Sequence, residues 1–177
     1  MRLLLLLLVC AVAPAIEVEA TVVRIADGDT LTVSAVPGLP PEAKRGKGGD
    51  VYVRLFCVDT QELWDEKIPK TAAGLAARDL LTACAKPGST VRLWDAGSAL
   101  TTDRYGRVLA FVGPDKATAQ EALISAGLSA YWRRWRLAPE PLHARLLAAE
   151  ATARTESRGA WAGQPEFMAK KSAERPK

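Results

Sequence analysis

Carboxylates and arginines are the side chains in this sequence whose spacing could support chemistry. Asp27 and Asp29 flank a single glycine, and Asp59 and Glu62 follow an apolar segment that carries a lone arginine, Arg54. The chain has one histidine, which excludes a zinc site built on several histidines and leaves one candidate for Ser-His or Cys-His catalysis. A hydrolase with this composition would depend on carboxylates, arginines and, where present, a metal ion.

Each of these groups also has a purely structural interpretation. An Asp-Gly pair between two β-rich segments is typical of a hairpin turn. A turn needs only one acidic residue, however, and here an aspartate stands on each side of the glycine. Arg54 needs a partner, because an unpaired buried guanidinium is costly. The partner is either a structural carboxylate or an anionic substrate held by two hydrogen bonds. Asp59 and Glu62 lie in either a surface acidic loop or a loop that aims them at a ligand.

A third charged group surrounds a glycine further along the chain. Asp103, Arg104, Tyr105 and Arg107 flank Gly106, and solvated charge around a turn is the simpler interpretation. The combination is more informative than any single group. Several carboxylates and two arginines on strands occur together in one small basic domain, with a net charge of +4, which is compatible with a polyanionic partner.

The segments that must position these residues alternate between strands and helices. Residues 21–36 predict a hairpin around Gly28, and residues 51–58, 89–96 and 107–113 predict three further strands. Helical spacing of apolar residues over 72–84 and 142–153, and a capping box at Thr118 and Glu121, predict three helices. Tight hairpins exclude a doubly wound parallel sheet. We therefore expect an α+β domain with a mainly β core, a five-stranded OB-type barrel with three packed helices.

The two ends of the chain are predicted to lie outside this domain. Residues 1–20 resemble a secretory signal peptide, with Arg2 before an apolar run and small residues that permit cleavage after Ala15 or Ala20. The run is shorter than the roughly 20 residues of a membrane-spanning helix; a buried helix is the alternative. Lipoprotein anchoring at Cys10 is disfavoured by the large Val9 before it. We expect an exported protein, secreted or periplasmic, with a domain over residues 21–163, a basic disordered tail over 164–177, and no membrane span after cleavage.

Two cysteines and an aromatic segment leave alternatives open. Export makes a disulfide between Cys57 and Cys84 allowable, and the alternative is two small buried side chains. Trp132 and Trp135 are interleaved with arginines, which favours contact with a polyanion, although aromatic residues between helices often fill a core. The lone histidine, His143, is expected at the surface, and Trp161 is expected to plug the base of the barrel or of the helices.

Taken in order, the motifs resemble a known family. The segments ADGDTLTV, VRLFCVDTQE, TDRYGRVLAFV, ALISAGLSAYW and RGAW are similar to those of the thermonuclease, or staphylococcal nuclease-like, family. The resemblance extends from about Thr21 to Trp161. It implies a five-stranded OB barrel with three helices. It also implies Ca²⁺-dependent, endonucleolytic cleavage of DNA and RNA phosphodiesters that leaves 3′-phosphate ends.

The resemblance also implies roles for individual residues. Asp29 and Asp59 match the carboxylate ligands of the metal, and Thr60 would add its backbone carbonyl. Asp27 would support the metal site from behind these ligands. Glu62 matches the residue that activates water.

On the substrate side, Arg54 and Arg107 match the pair that binds the scissile phosphate, and with Glu62 they form the expected catalytic set. Arg104 and Tyr105 match positions that hold the nucleotide. Trp132 and Trp135 lie near the family's base-stacking tyrosines.

The sequence departs from the family beside Glu62, and two alternative functions remain open. Gln61 stands where the family usually has proline, which would loosen the loop that aims Glu62. A non-catalytic OB-fold module that binds nucleic acid or protein is the main alternative function, and a different metal-dependent phosphodiesterase is another. We expect a monomer whose substrates are DNA and RNA.

Overall fold

Six β-strands form the central part of the computed structural model, which describes residues 16–62 and 71–176. The strands are β1 (Ile16–Asp27), β2 (Thr30–Val33), β3 (Val51–Leu55), β4 (Thr90–Asp95), β5 (Thr101–Thr102) and β6 (Val108–Val112). They form one sheet in the order β3-β2-β1-β4-β6-β5, and a further pairing between β3 and β6 closes it. The closing pair is parallel, whereas all the other pairs are antiparallel.

The closed part of the sheet is a five-stranded barrel, to which the two-residue β5 adds an edge. Side chains from all five long strands fill its interior, including Leu31, Val53, Leu93 and Phe111, which are fully buried. Closure removes the exposed strand edges that an open sheet of this size would present. The expected OB-type α+β fold is confirmed.

Strand β1 is long enough to pair with β2 at one end and with β4 at the other. Its first residues already belong to the barrel, since Ile16 is opposite Asp95 and Ala20 is opposite Val91. Ala20 is buried. The predicted domain boundary at residue 21 therefore falls inside this strand. Residues 1–15, which contain most of the predicted signal peptide and Cys10, lie outside the described residues.

The described residues form five helices: α1 (Ala72–Cys84), α2 (Ala119–Ser125), α3 (Leu142–Thr155), α4 (Ala160–Gly163) and α5 (Pro165–Ala173). The hydroxyl of Thr118 accepts a hydrogen bond from the backbone N–H of Glu121, which confirms the predicted start of α2. Thr71 caps α1 in the same way through Gly74. No helix in the described part of the chain is both long and apolar enough to cross a membrane.

Helix α5 contradicts the prediction of a disordered tail. Met168 on this helix is 2% exposed and packs with Trp161, Ala160 and other small residues in a second apolar cluster beside the main core. Pro165 occupies the first turn, where its missing N–H costs nothing. The one buried methionine therefore holds an otherwise polar segment on the domain. Trp161 is buried at this helical base and not in the barrel.

Cys57 and Cys84 are free thiols, so the disulfide that the sequence left open between them is not formed. Cys57 is buried just after β3, with its Sγ 3.8 Å from the carbonyl oxygen of Arg136. Cys84 is exposed at the end of α1. Burial raises the pKa of the Cys57 thiol to about 12, so it behaves as a small apolar side chain.

Candidate active site

The turn between β1 and β2 brings two aspartates against the loop after β3. Gly28 makes this approach possible, because a Cβ at this position would lie 2.6 Å from Oγ1 of Thr60 and 2.7 Å from Cβ of Ala77. The backbone N–H of Gly28 donates to the Asp27 carboxylate at 2.8 Å. Both Asp27 and Asp29 are buried. The Asp-Gly-Asp sequence therefore forms a turn, and this turn also packs closely against the loop that carries Asp59 and Glu62.

Arg54 joins the two carboxylates that the resemblance assigns to the metal. Its Nη1 lies 2.9 Å from Oδ2 of Asp29, and its Nη2 lies 2.9 Å from Oδ1 of Asp59. Asp29 Oδ2 also accepts hydrogen bonds from the backbone N–H and the hydroxyl of Thr60, at 2.9 and 3.1 Å. The arginine is 7% exposed. The partner that it needs is thus a pair of carboxylates, and this pairing fixes the distance between two loops that are distant in sequence.

Glu62 lies beside the two aspartates of the β1–β2 turn. Burial raises the pKa of its carboxyl group to about 7, together with a hydrogen bond to Asp27 and the negative charges of Asp29 and Asp27, whereas Arg54 opposes the shift. The residue as a whole is nevertheless exposed and lines a cavity that is open to solvent. A carboxyl group with this pKa exchanges its proton near neutral pH, as a general base must.

Arg107 approaches the site from the turn between β5 and β6. The Asp103 carboxylate organises that turn by accepting the backbone N–H groups of Tyr105 and Arg107, each at 2.9 Å. It also holds Nε and Nη2 of the Arg107 side chain, at 2.8 and 2.7 Å. Gly106, with φ of +77°, supplies the left-handed residue that this turn requires. Among the described residues, Nη1 of Arg107 has no hydrogen-bond or ion-pair partner and is available to a ligand.

Arg104 and Tyr105 lie at the outer edge of the same turn. Tyr105 is 57% exposed, and the guanidinium groups of Arg104 and Arg107 lie 4.7 and 5.4 Å from its ring centre. The three side chains form one cationic and aromatic surface beside the site.

A cavity of about 370 Å³ connects Glu62 with Arg107, and Asp27 also lines it. Two residues that the sequence reasoning missed, Lys44 and Tyr52, line the same cavity. Lys44 comes from the long loop before β3, and its ammonium lies 5.0 Å from the ring centre of Tyr52. The only sequence signal for Lys44 was the basic character of that loop. The cavity lining thus combines the cationic side chains of Lys44 and Arg107 with the carboxyl groups of Asp27 and Glu62.

The two tryptophans that were predicted to stack on bases contact each other. Trp132 and Trp135 pack edge to face, with ring centres 6.3 Å apart. Trp135 is 67% exposed and offers a stacking surface, whereas Trp132 is half-buried, with its indole N–H donating to Glu174 at 2.7 Å. Tyr131 is fully buried, and its hydroxyl lies 2.7 Å from Nδ1 of His143. Tyr131 is therefore a core residue.

Helix α5 brings a lysine that the sequence reasoning also missed. Lys171 forms an ion pair with Oδ2 of Asp59, the oxygen that Arg54 does not hold. The ammonium of Lys171 lies 4.9 Å from the ring centre of Trp132. Gln61, in place of the family proline, donates its side-chain N–H to Gln164 at the start of α5, at 2.7 Å. The loop that aims Glu62 is thus tethered by a side chain.

The oxygen atoms that converge here have the chemistry of a calcium site, although their present arrangement is not one. Within the described residues, no group of three or more acidic, histidine or cysteine side chains is arranged to hold a metal ion. Asp29 and Asp59 are instead neutralised by Arg54 and Lys171. The pKa of Glu62 is raised first by burial and further by the negative charges of Asp29 and Asp27, and a divalent cation would offset those charges. Carboxylate and carbonyl oxygens are the ligands that Ca²⁺ prefers, so the residues fit the ion.

The chain is thus a closed OB barrel in which Arg54 pairs with two carboxylates and Arg107 lines a cavity with Glu62. The chain matches the family of staphylococcal nuclease homologues over residues 52–163, more than half of its length, and it belongs to this family. The match begins at β3 and ends at α4, and it includes Arg54, Asp59, Glu62 and Arg107. No match was found among curated proteins.

Proposed function

We propose that this protein is a Ca²⁺-dependent nuclease that hydrolyses phosphodiester bonds in DNA and RNA. The observation that carries the proposal is the ion-paired cluster of Asp29, Arg54 and Asp59, adjacent to a cavity lined by Glu62 and Arg107. Membership of the nuclease family supports the same substrate class. Cleavage within the polymer that leaves 3′-phosphate ends is the outcome that we propose from the family resemblance.

In this proposal, the chain's own residues divide the work between phosphate and water. The free Nη1 of Arg107 donates to a phosphate oxygen in the cavity, while Asp103 keeps the guanidinium in place. Donors that hold these oxygens more tightly as negative charge develops stabilise the transition state. Glu62 accepts the proton of the attacking water. The water oxygen bonds to phosphorus as the bond to the 5′ oxygen of the next nucleotide breaks, and that oxygen takes up a proton from solvent.

Asp29, Asp59 and the Thr60 carbonyl are the residues proposed to hold calcium, with Asp27 behind them. A bound calcium ion would supply positive charge that offsets the charge of the phosphate. Arg54 would keep its ion pairs with Asp29 and Asp59 and would direct an N–H group that these pairs leave unused toward the phosphate. Neutralisation of the nearby aspartates would also lower the pKa of Glu62, so that it is ionised at neutral pH.

Export is proposed from the leader-like residues 1–15. Cleavage after Ala15 would preserve β1, whereas cleavage after Ala20 would remove residues that pair with β4. N-terminal sequencing of the exported protein should therefore give Ile16 as the first residue. A chain that begins at Thr21 would contradict this assignment.

The test of the nuclease proposal is digestion of single-stranded DNA and of RNA by the purified protein, with calcium and with a chelator. We expect both polymers to be cut in calcium, to be left intact in excess chelator, and to be cut again when calcium is restored. Phosphatase sensitivity of the new ends distinguishes 3′-phosphate from 3′-hydroxyl products. Binding without cleavage under all conditions would instead favour the non-catalytic module.

A further inference from the structure

The C-terminal helix α5 is built into the proposed active site. Arg133 donates to the backbone carbonyl of Ser172, and the hydroxyl of Ser172 donates to Glu150 at 2.8 Å. Glu150 is itself buried and accepts the backbone N–H of Tyr131 at 2.7 Å. Contacts of this kind at several points along α5 fix its position on the domain.

This anchoring delivers one ammonium group to one carboxylate oxygen. Lys171 contacts Oδ2 of Asp59, and both side chains are largely shielded from water, with exposures of 22% and 17%. Oδ1 of the same carboxylate is held by Arg54 at 2.9 Å. Both oxygens of Asp59 are therefore occupied by cations of the protein.

We propose that Lys171 is a positioning residue that competes with the divalent cation for Asp59 and thereby sets the cation affinity of the site. The inference rests on the proposed function only in taking Asp59 as a cation ligand. Calcium can bind Asp59 fully only when one of its two protein partners withdraws. The affinity measured for calcium then includes the free energy needed to break that contact.

Lys171, and not Arg54, is the partner that withdraws. Arg54 is 7% exposed and also holds Asp29, so its removal would leave a second buried carboxylate uncompensated. Lys171 reaches Asp59 through a long flexible side chain from a surface helix, and its ammonium also lies near the rings of Trp132 and Phe167. Rotation of that side chain frees one oxygen of Asp59 and leaves the barrel unchanged.

The test is calorimetric titration of calcium into the chelator-treated full-length protein and its variants. Lys171→Met, which keeps the length of the side chain and removes its charge, should bind calcium about tenfold more tightly than the wild type, equivalent to about 1.4 kcal/mol. Lys171→Gln should shift in the same direction, and Lys171→Arg should remain near the wild type. Lys170→Met is the matched control, because Lys170 is the exposed neighbour on the same helix and loses the same charge.

A second readout follows Trp132. Withdrawal of Lys171 removes a cation from the face of this indole, so calcium should change the tryptophan fluorescence of the wild type. The change should be absent in Lys171→Met and in Trp132→Phe, and present in Lys170→Met. These measurements use binding alone, so they do not depend on whether the protein cleaves nucleic acid.

The results separate the inference from the proposed function. Tighter calcium binding by Lys171→Met, with Lys170→Met unchanged, supports the competition even if no nuclease activity is found. Equal or weaker binding by Lys171→Met would overturn it even in an active nuclease. An equal gain in Lys170→Met would also overturn it, because the effect would then belong to net charge and not to the contact with Asp59.

Discussion

Arg54 is the residue whose removal should have the largest effect on the folded protein. Arg54→Met retains much of the apolar part of the side chain but removes both ion-pair contacts, at 2.9 Å each, to Asp29 and Asp59. Asp29 is 4% exposed and would keep only neutral donors, whereas Asp59 would still have Lys171. Removal of one partner from a buried ion pair typically costs about 3–5 kcal/mol, and we expect a loss of this size in the calcium-free protein.

The assay is urea unfolding followed by tryptophan fluorescence, with and without calcium. The control is Arg92→Met, because Arg92 pairs with Glu17 at the surface, where both side chains are more than 40% exposed, and such pairs contribute at most about 1 kcal/mol. Calcium should recover more stability in Arg54→Met than in the wild type, since a cation among the carboxylates replaces part of the lost positive charge. A loss no greater than that of the control, or a calcium effect equal to that of the wild type, would refute the reasoning about this cluster.

Three further predictions address the neighbouring groups. Folding raises the pKa of the Glu62 carboxyl group from 4.5 to about 7. The stabilisation that its proton confers on the calcium-free protein is therefore complete below pH 4.5 and lost as the pH rises through 7. Urea unfolding across this range should show the loss in the wild type, and an identical pH dependence in Glu62→Gln would contradict it. Arg107→Ala should lower kcat in calcium by about 10²-fold or more, because a donor to the developing charge is lost; a wild-type rate in steady-state digestion would exclude the phosphate role. Met168→Ala should release α5, since truncation of a buried methionine costs about 2–5 kcal/mol; limited proteolysis should then cut after Gly163, and resistance equal to that of the wild type would contradict this anchoring.

The barrel could be predicted because its signals are local. The Asp-Gly turn separates β1 from β2, and Pro87 and Gly88 follow the end of α1, so the order of strands and helices could be read along the chain. The family resemblance then supplied the closure of the sheet. The parallel pairing of β3 with β6 joins segments more than 50 residues apart, and no local pattern specifies it.

The parts that could not be predicted depend on contacts between distant segments. Residues 165–173 are polar apart from a few side chains, and only the apolar surface around Trp161 gives Met168 a reason to be buried. Without that helix there is no basis for expecting Lys171 at Asp59. The sequence likewise could not predict that Cys57 and Cys84 remain free thiols, because the direction in which a thiol points depends on the packing around it.

The sequence predicted which residues form the candidate site but not which of them form ion pairs with one another. The lone strand arginine implied a carboxylate or phosphate partner, and the structure has Arg54 between two aspartates. Lys44 lines the cavity because the folded chain brings the long loop before β3 to it. Charge in a loop indicates where a polyanion could bind, but not which lysine reaches it.

The most direct test of the central claim separates binding from cleavage at Glu62. Glu62→Gln retains size and hydrogen bonding but cannot accept a proton, so in saturating calcium it should lower kcat on single-stranded DNA by about 10²–10⁴-fold. Its dissociation constant for the same DNA, measured by fluorescence anisotropy, should remain within about twofold of the wild type, since the cationic and aromatic surface of Arg104, Tyr105 and Arg107 is unchanged. Cleavage by Glu62→Gln at the wild-type rate would contradict the assignment of Glu62 as the base and, with it, the proposed chemistry of the site.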